Sequence, residues 1–299
     1  MKAQKVIIIV GPTSSGKSAL AVELARKFGG EVISADSRQV YRGLNICTGK
    51  ISKKQMRGVR HHLLDVAAPQ KNFSAHDFIL HGERVIADIE ARGKIPIVCG
   101  GTGFYIDALV GRITLPDVTA HHALRARLEK KTAGELFALL QKKSSARAKT
   151  IDRHNKRRLV RALEVADSRR QGDASTASRL RLDGELWLGI RLAPKVLRAR
   201  IRARLAARMR RGMLAEVRTL HKNGLSWKRM YDLGLEYRYI SRFLRGTLTK
   251  HEMLTELETK IWHYARRQRT YWRQNTDIVW LEGPDKKRAN SLVEKFLAT

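Results

Sequence analysis

Cysteine is scarce in this sequence, which contains only Cys47 and Cys99 among its 299 residues. The two are not spaced as a CxxC pair, and they are too few to form a disulfide framework. This scarcity favours a reducing compartment over an extracellular one. Cys99 lies within an apolar run, so we interpret it as a core residue.

Long hydrophobic runs are also missing. The N-terminal apolar run covers only Val6 to Val10, which is shorter than the core of a signal peptide. No other stretch approaches the length that is needed to cross a membrane. We therefore expect a cytoplasmic protein without a membrane partner, and we take it to be a monomer.

Acidic residues are the third shortage. The chain has 28 Asp and Glu against 60 Lys and Arg, and its formal net charge at pH 7 is +32. A protein that docks on a polyanion gains affinity from each phosphate that it contacts, because counterions are released. The charge therefore favours nucleic acid as a partner. The alternatives are a solvated basic surface or a proteome that is biased towards basic proteins.

Apolar periodicity in the first third of the chain predicts alternating strands and helices. The predicted strands are Lys5 to Val10, residues 31 to 36, residues 61 to 66, and residues 94 to 103 with a glycine turn at their end; the predicted helices are Lys17 to Phe28 and a segment from Ser74 to about Gly93. Ser74 and Asp77 have the spacing of a capping box, which supports the second helix. This order of elements is that of an α/β fold with a parallel sheet.

The stretch GPTSSGKS, residues 11 to 18, lies between the first predicted strand and the first predicted helix. Its pattern directs backbone N–H groups and a helix N-terminus at phosphate oxygens, as in a P-loop. The predicted diphosphate-binding residues are Gly11, Pro12, Thr13, Ser14, Ser15, Gly16, Lys17 and Ser18. We expect Lys17 to contact the diphosphate and the hydroxyl of Ser18 to bind Mg²⁺, the one cofactor that we predict.

The character of the sequence changes after residue 112. The next segment is rich in Arg, Lys, Ala and Leu at helical spacing, and a strand returns at residues 187 to 192. We predict a P-loop NTPase-like core formed by residues 1–112 and 183–299, with a helical C-terminal region, and a mostly helical insertion at residues 113–182. The polar, basic segment 168–185 is interpreted as a loop or mobile linker.

Two further pieces are expected at the sheet edge that carries the loop. Asp36 closes the second predicted strand, and Gly100, Gly101 and Thr102 follow a later one. Asp36 is open to three roles: a magnesium ligand, a general base or a turn-forming residue. The three pieces fit two kinds of enzyme. One is a small P-loop kinase similar to the shikimate kinases, and the other is a transferase whose leaving group is a diphosphate.

The full amino-acid sequences of the motifs distinguish these two kinds of enzyme. The motifs are GPTSSGKS, DSRQVYRGLNICTGK at 36 to 50, HHLLDV at 61 to 66, FSAHDF at 73 to 78, GGTGFYIDAL at 100 to 109, RRLVRALEV at 157 to 165 and ARRQRTYWR at 265 to 273. In order and wording they resemble the tRNA dimethylallyltransferases, also called tRNA isopentenyltransferases, over nearly the whole chain. Shikimate kinases lack DSRQVYRGL and are shorter.

This resemblance implies transfer of a dimethylallyl group from dimethylallyl diphosphate to a tRNA. The acceptor would be N6 of the adenosine just 3′ of the anticodon, position 37 of the tRNA, in tRNAs that read codons beginning with U. The implied partners are thus dimethylallyl diphosphate and a tRNA anticodon stem-loop. The positive charge of the chain suits a polynucleotide acceptor.

The resemblance also implies roles for individual residues. Asp36 would accept the proton of the N6 amine, while Lys17, and Ser18 with Mg²⁺, would stabilise the leaving group. Thr102 would lie near the reacting centre, and Arg204, in RLAARMRRG, would reach the diphosphate. The residues implied to bind tRNA are Asp36, Ser37, Arg38, Gln39, Thr102, Arg157, Arg158, Arg161, Arg266, Arg267, Gln268 and Arg273.

Other features receive no functional role. DLGLEYRYI at 232 to 240 only loosely matches a glycine-tyrosine-arginine motif of the family, so we give it no catalytic weight. The features that we discount are the pairs His61–His62 and His121–His122, which lack a third metal ligand, and the aromatic residues Trp262, Tyr264, Tyr271 and Trp272, which we interpret as core. Three alternative functions remain: an isopentenyltransferase for free adenine nucleotides, a P-loop small-molecule kinase and a non-catalytic RNA-binding protein.

Overall fold

The computed structural model contains two compact units. The residues that it describes are 5–116, 118, 121–168, 175–176, 182 and 184–299. One unit is formed by Met1–Val110 and Arg179–Thr299, and the other by Gly111–Ser178. The first unit therefore contains the predicted phosphate-binding loop, residues 11–18, and the second contains most of the helix-rich segment that follows residue 112.

Strands and helices alternate along residues 5–109, whereas five helices follow one another between residues 191 and 279. The strands of the described residues are β1 Lys5–Val10, β2 Gly30–Ala35, β3 His61–His62, β4 Ile95–Gly100, β5 Leu115–Pro116, β6 Ser175–Thr176, β7 Gly184–Arg191 and β8 Val279–Glu282. The helices are α1 Lys17–Phe28, α2 Lys53–Met56, α3 Ala75–Ala91, α4 Gly103–Leu109, α5 His122–Glu129, α6 Ala133–Lys143, α7 Ser145–Thr150, α8 Lys156–Ser168, α9 Pro194–Arg210, α10 Met213–Lys222, α11 Trp227–Leu233, α12 Leu235–Leu244, α13 Lys250–Trp272 and α14 Lys286–Ala298.

A parallel sheet forms the centre of the first unit. Six strands lie in the order β3-β2-β4-β1-β7-β8, and each neighbouring pair runs parallel. The carboxyl ends of β1, β2 and β4 therefore meet at one edge of the sheet. The predicted α/β fold with a P-loop-like parallel sheet is confirmed.

The central strand β1 is apolar at every buried position because helices cover both faces of the sheet. Val6, Ile8 and Val10 belong to an apolar cluster that also contains residues of α3 and α4. Ile7 and Ile9 alternate with them and pack in a second cluster with α1 and α14. This two-sided burial explains why the run at the start of the chain is continuous and shows no polar alternation.

Helices α9 to α13 share a third apolar cluster. It includes Ile201 from α9, Val217 from α10, Ile240 from α12 and Leu257 from α13, all of them buried. Val40, in the loop after β2, packs in the same cluster. The C-terminal helices are thus fixed to the segment that follows Asp36, and this packing brings α9 and α13 to the site described below.

The unit Gly111–Ser178 has its own small core. Leu136, Leu140, Leu159 and Leu163 are buried together between α6 and α8. Within α8, Glu164 is only 1% exposed and accepts from Nε and Nη2 of Arg125 at 2.6 and 2.8 Å. A buried carboxylate needs such partners because water no longer solvates its charge.

Most of the elements predicted near the loop are confirmed. β1 and α1 have the predicted bounds, and α3 begins with the predicted capping box of Ser74 and Asp77. The prediction of a strand over residues 61–66 is wrong beyond its first two residues. Leu63 and Asp65 have φ angles of 59° and 58°, which lie in the left-handed region and end the strand.

The segment 168–185, predicted to be a loop, lies mostly outside the described residues. Its described part includes Ser175–Thr176, which pairs antiparallel with Leu115–Pro116. The return strand extends from Gly184 to Arg191 and so begins before the predicted residue 187. Within the described part of the chain, none of the helices has both the length and the apolar character needed to cross a membrane.

Candidate active site

The predicted phosphate-binding loop has a backbone shape that depends on its glycines. Gly11 and Gly16 have φ angles of 147° and 104°, which disfavour any residue with a side chain. A Cβ atom at Gly11 would lie 2.9 Å from the carbonyl oxygen of Ile190 on β7. Gly16 is the N-cap of α1, so the loop leads directly into the free N–H groups and the positive dipole of that helix.

Some residues of the loop have no free main-chain donor. Pro12 lacks an N–H group, and the N–H of Ser15 donates to the carbonyl of Pro12 at 3.2 Å. The N–H of Thr13 donates to Oε1 of Gln268 on α13 at 2.8 Å. These contacts limit the predicted backbone cradle for a diphosphate to the other N–H groups of the loop and to the start of α1.

Lys17 is folded back along the loop. Its Nζ donates to the carbonyl of Pro12 at 3.1 Å. Burial lowers the pKa of Lys17, and the positive charge of Arg204 lowers it further, whereas Asp36 acts in the opposite direction. An anionic ligand beside Nζ would favour the charged form of the lysine.

Asp36 has the turn-forming role that was one of its three predicted options. Its Oδ1 accepts from the N–H of Arg38 at 2.8 Å and from the N–H of Gln39 at 3.3 Å. Among the described residues, no donor contacts Oδ2. The turn is tied to β4, because the N–H of Ser37 donates to Oγ1 of Thr102 at 3.1 Å and the N–H of Thr102 donates to the carbonyl of Ala35 at 3.2 Å.

Arg204 reaches the same place from α9. Its Nη2 donates to the carbonyl of Gly49 at 2.9 Å. A Cβ atom at Gly49 would lie 2.2 Å from that nitrogen, so only glycine permits this approach. Burial lowers the pKa of Arg204, as does neighbouring Arg208; an arginine nevertheless stays protonated in a protein. The guanidinium is thus a permanent positive charge inside the site.

One cavity connects these groups. The predicted residues that line it are Thr13, Lys17, Ser18, Asp36, Ser37, Arg38, Gln39, Arg204 and Gln268. Thr102 does not line this cavity. Its side chain accepts from the N–H of Ser37, so it lies behind a residue that does. The loop, the Asp36 turn and Arg204 therefore face a common space at the carboxyl edge of the sheet.

A segment without a predicted role forms another wall of the cavity. Residues 233–237, LGLEY, span the junction of α11 and α12 and line it. Gly234 has a φ of 78° and Leu235 one of 34°, so the chain turns sharply here. Glu236 accepts from Nη1 of Arg208, another lining residue, at 2.8 Å. The glycine between two helical stretches was the available signal for this turn.

Two residues that were interpreted as core also reach the cavity. Cys99 is buried, but it lies on the cavity wall. Burial raises the pKa of its thiol to about 11, so it is not a nucleophile at neutral pH. Tyr264 lines the cavity as well, whereas Trp272 is fully buried against Trp187 as predicted.

Comparison with known proteins identifies the family. A family model described as IPP transferase matches residues 39–275. The chain belongs to the IPP transferase family. It is 38% identical to the tRNA dimethylallyltransferase 1 of Hahella chejuensis over 292 residues, which cover 96% of this chain and 94% of that relative. The predicted enzyme class, a prenyltransferase, is confirmed.

Solved structures show the same relationship. The full-length tRNA isopentenylpyrophosphate transferase of Bacillus halodurans is 31% identical with a TM-score of 0.73, and the match covers 99% of this chain and 96% of that one. A eukaryotic dimethylallyltransferase acting on tRNA has a TM-score of 0.81 at 26% identity, covering 98% and 79% of the two chains. The family fold therefore extends over nearly the whole of this IPP transferase chain.

The basic residues with a predicted tRNA role differ in what surrounds them. Arg157, Arg158, Arg266, Arg267 and Arg273 are exposed. In contrast, Arg161 donates to the carbonyl of Val118 at 2.9 Å and pairs with buried Glu164. The exposed arginines suit contacts with phosphates, whereas Arg161 has an internal structural role within its unit.

Gln268 was also predicted to bind tRNA, and its observed contacts are internal. It is 6% exposed; Oε1 accepts from Thr13 of the phosphate loop, and Nε2 donates to the carbonyl of Gly101 at 2.9 Å. One side chain of α13 therefore joins two of the three predicted site segments. Sequence reading missed this role because it depends on a contact across more than 160 residues.

The predicted Mg²⁺ can be tested against the side chains at the site. Ser18, at the start of α1, and the carboxylate of Asp36 both line the cavity and offer hard oxygen ligands, as Mg²⁺ prefers. The described residues contain no cluster of three or more His, Cys, Asp or Glu with metal-binding geometry. A site with few protein ligands fits Mg²⁺ that is bound largely by substrate phosphates and water.

Proposed function

We propose that this enzyme transfers a dimethylallyl group from dimethylallyl diphosphate to N6 of the adenosine 3′ of the anticodon, in tRNAs that read codons beginning with U. One observation carries the proposal: the P-loop lysine, the Asp36 turn and Arg204 line a single cavity. Sequence similarity to relatives named tRNA dimethylallyltransferase also supports the proposal.

The reaction forms an N–C bond and breaks a C–O bond. The N6 amine attacks the first carbon of the allylic group, and the electron pair of the C–O bond leaves with the diphosphate. The N6 proton passes to Asp36. Because Oδ1 of Asp36 already holds the turn, we assign the proton to Oδ2. A positioned base of this kind contributes about 10²- to 10⁴-fold to the rate.

The leaving group gains negative charge as the C–O bond breaks. Lys17 and Arg204 line the cavity as cations, and the start of α1 adds main-chain N–H groups. Charges and dipoles that are fixed before the reaction stabilise the transition state without reorganisation. Mg²⁺, held by Ser18 and by substrate, would supply further charge neutralisation to the diphosphate.

The acceptor base must enter from the tRNA. A stacked base cannot present N6 to an enclosed site, so we propose that the adenosine is flipped out of the anticodon loop. Ser37, Arg38 and Gln39 line the cavity beside Asp36 and are suited to hold it. The exposed arginines of α8 and α13 would bind the RNA backbone, which positions the tRNA without reading its sequence.

The direct test is a nucleoside analysis of tRNA after incubation with the enzyme, Mg²⁺ and dimethylallyl diphosphate. We expect an isopentenyl-adenosine peak that depends on the diphosphate. A parallel incubation also contains free adenine nucleotides, including ATP. Modification of these nucleotides with unchanged tRNA would favour the free-nucleotide isopentenyltransferase. Consumption of ATP without any prenylated product would favour a kinase. Either result would contradict the proposal.

A further inference from the structure

The irregular segment Asn45–Gly49 is held on one side by a single carboxylate. Glu216, in the first turn of α10, accepts from the N–H of Asn45 at 3.0 Å and of Ile46 at 2.5 Å through Oε2. Its Oε1 accepts from the N–H of Cys47 at 3.0 Å and from the hydroxyl of Tyr237 at 2.9 Å. A carboxylate has about four acceptor positions, and these contacts use four.

The carbonyl groups of the same segment bond to residues that line the cavity. The carbonyl of Cys47 accepts from Nη1 of Arg208 at 2.5 Å. The carbonyl of Thr48 accepts from Nε2 of Gln39 at 3.5 Å. The carbonyl of Gly49 accepts from Nη2 of Arg204 at 2.9 Å. Consecutive amides are thus bound by Glu216, and consecutive carbonyls bind the arginines and the glutamine of the site.

Glu216 itself does not line the cavity, and no step of the proposed reaction uses it. The segment that it binds belongs to neither a helix nor a strand. Its own turn bonds, from the N–H of Gly49 to the carbonyl of Ile46 at 3.0 Å and from the N–H of Lys50 to the carbonyl of Asn45 at 2.9 Å, shape the turn but do not attach it to another element. The position of the turn relative to the site therefore needs other hydrogen bonds. Glu216 supplies three of them, and each is charge-assisted and therefore stronger than a bond between neutral groups.

We infer that Glu216 is a positioning residue that sets the place of the Arg204 guanidinium through the carbonyl of Gly49. The inference rests on the proposed function, in which Arg204 binds the diphosphate. Removal of the carboxylate leaves three amides without their acceptor, so the segment shifts and the acceptor of Arg204 moves with it. The affinity for the diphosphate then falls, whereas tRNA affinity, which depends on exposed arginines, stays the same.

The experiment is a double-mutant cycle on the full chain, with pyrophosphate and Mg²⁺ binding measured by calorimetry. We expect Glu216→Ala to weaken pyrophosphate binding by about tenfold, roughly 1.4 kcal/mol. In an Arg204→Ala background the same change has little further effect, because residues that are coupled through a shared backbone segment are not additive. Glu216→Gln keeps one acceptor oxygen and gives an intermediate loss. For dimethylallyl diphosphate, KM rises more than kcat falls.

Tyr105→Phe is the matched control for Tyr237→Phe. Both tyrosines are buried, and the hydroxyl of each donates one hydrogen bond. The hydroxyl of Tyr237 donates to Glu216, whereas that of Tyr105 donates to the carbonyl of Phe73. Tyr105 does not line the cavity. We expect Tyr237→Phe, which removes one donor from Glu216, to weaken pyrophosphate binding and Tyr105→Phe to leave it unchanged. If Glu216→Ala does not fold, this pair and Glu216→Gln decide the matter.

Additive losses in the cycle would overturn the inference, as would an equal loss of tRNA affinity in Glu216→Gln. Unchanged pyrophosphate binding in Glu216→Gln and Tyr237→Phe would overturn it too. Failure of the proposed function has a different signature: the unmodified enzyme would not bind pyrophosphate, or Arg204→Ala would bind it normally. The inference would then fall together with the role of Arg204.

Discussion

At the residue scale, the proposed mechanism gives the one carboxylate of Asp36 a second role beside the turn that it holds. Oδ1 accepts two N–H groups and holds the turn of Ser37 to Gln39, while Oδ2 is the oxygen assigned to the N6 proton. Replacement by alanine removes both functions at once. It therefore cannot separate a catalytic role from a structural one.

Asp36→Asn separates the two roles. Asparagine retains an oxygen acceptor for the turn but is not a base at neutral pH. We expect prenyl transfer to fall by about 10²- to 10⁴-fold with tRNA affinity nearly unchanged, measured by single-turnover transfer and filter binding. Asp36→Ala should lose transfer and also weaken tRNA binding. Substantial transfer by Asp36→Asn would show that Asp36 is not the base.

The lowered pKa of Lys17 predicts how diphosphate binding depends on pH. Burial lowers the pKa of Lys17, so it loses its charge at a lower pH than an ordinary lysine. Only the charged form attracts an anion, so pyrophosphate affinity should be highest near neutral pH and fall as the pH rises towards the lowered pKa. In Lys17→Arg this fall should be absent, because arginine stays protonated. The affinity of both proteins for pyrophosphate is measured by calorimetry at the same series of alkaline pH values, so the titration of pyrophosphate itself affects both equally. If the affinities of the two proteins fall in parallel as the pH rises, the prediction is contradicted.

At the element scale, α13 joins the phosphate loop to the turn after β4 through one side chain. Gln268 accepts from Thr13 with one end of its amide and donates to Gly101 with the other. A Cβ atom at Gly101 would lie 2.2 Å from Nε2 of Gln268, so the two segments are in close contact. The geometry of the loop therefore depends on a helix that begins more than 230 residues later.

Gln268→Glu tests this connection. The substitution replaces the donor facing the carbonyl of Gly101 with an acceptor, and two buried acceptors repel each other. We expect a loss of stability of about 1–3 kcal/mol and weaker pyrophosphate binding, measured by chemical denaturation and calorimetry. Gln274→Glu makes the same change at an exposed position, where both values should stay unchanged. Normal pyrophosphate binding by Gln268→Glu would rule out the connection.

The elements differ in how far sequence alone could predict them. β1, the phosphate loop and α1 follow from local signals, namely an apolar run, paired glycines and helical periodicity. The end of the second predicted strand indicated Asp36, and the motif resemblance added Arg204; both line the cavity. The LGLEY wall, the Gln268 contacts and the Glu216 contacts were not predicted. Each depends on residues far apart in sequence, and no local pattern encodes such a contact.

At the scale of the whole molecule, the excess positive charge is not all available to RNA. Arg161 and Arg158 lie three residues apart on α8, but Arg161 bonds to Val118 and Glu164, whereas Arg158 is exposed. We expect Arg158→Gln to weaken tRNA binding and leave the melting temperature unchanged. Arg161→Gln should lower the melting temperature, because Glu164 loses a partner. The reverse result, from filter binding and calorimetry, would show that Arg161 is the RNA contact.

The net charge of +32 also predicts a steep dependence of tRNA affinity on salt. Each phosphate contact releases counterions, so the logarithm of the association constant falls linearly with the logarithm of salt concentration. Arg266 and Arg273 are exposed at the C-terminal end of α13. If each contacts one phosphate, replacing either by glutamine should reduce the slope by about 0.7 to 0.9, and the double variant by the sum. Lys250→Gln, at the other end of the helix, changes the net charge equally and separates local contact from overall charge. An equal change of slope in that variant would mean that the basic surface acts only as a diffuse field.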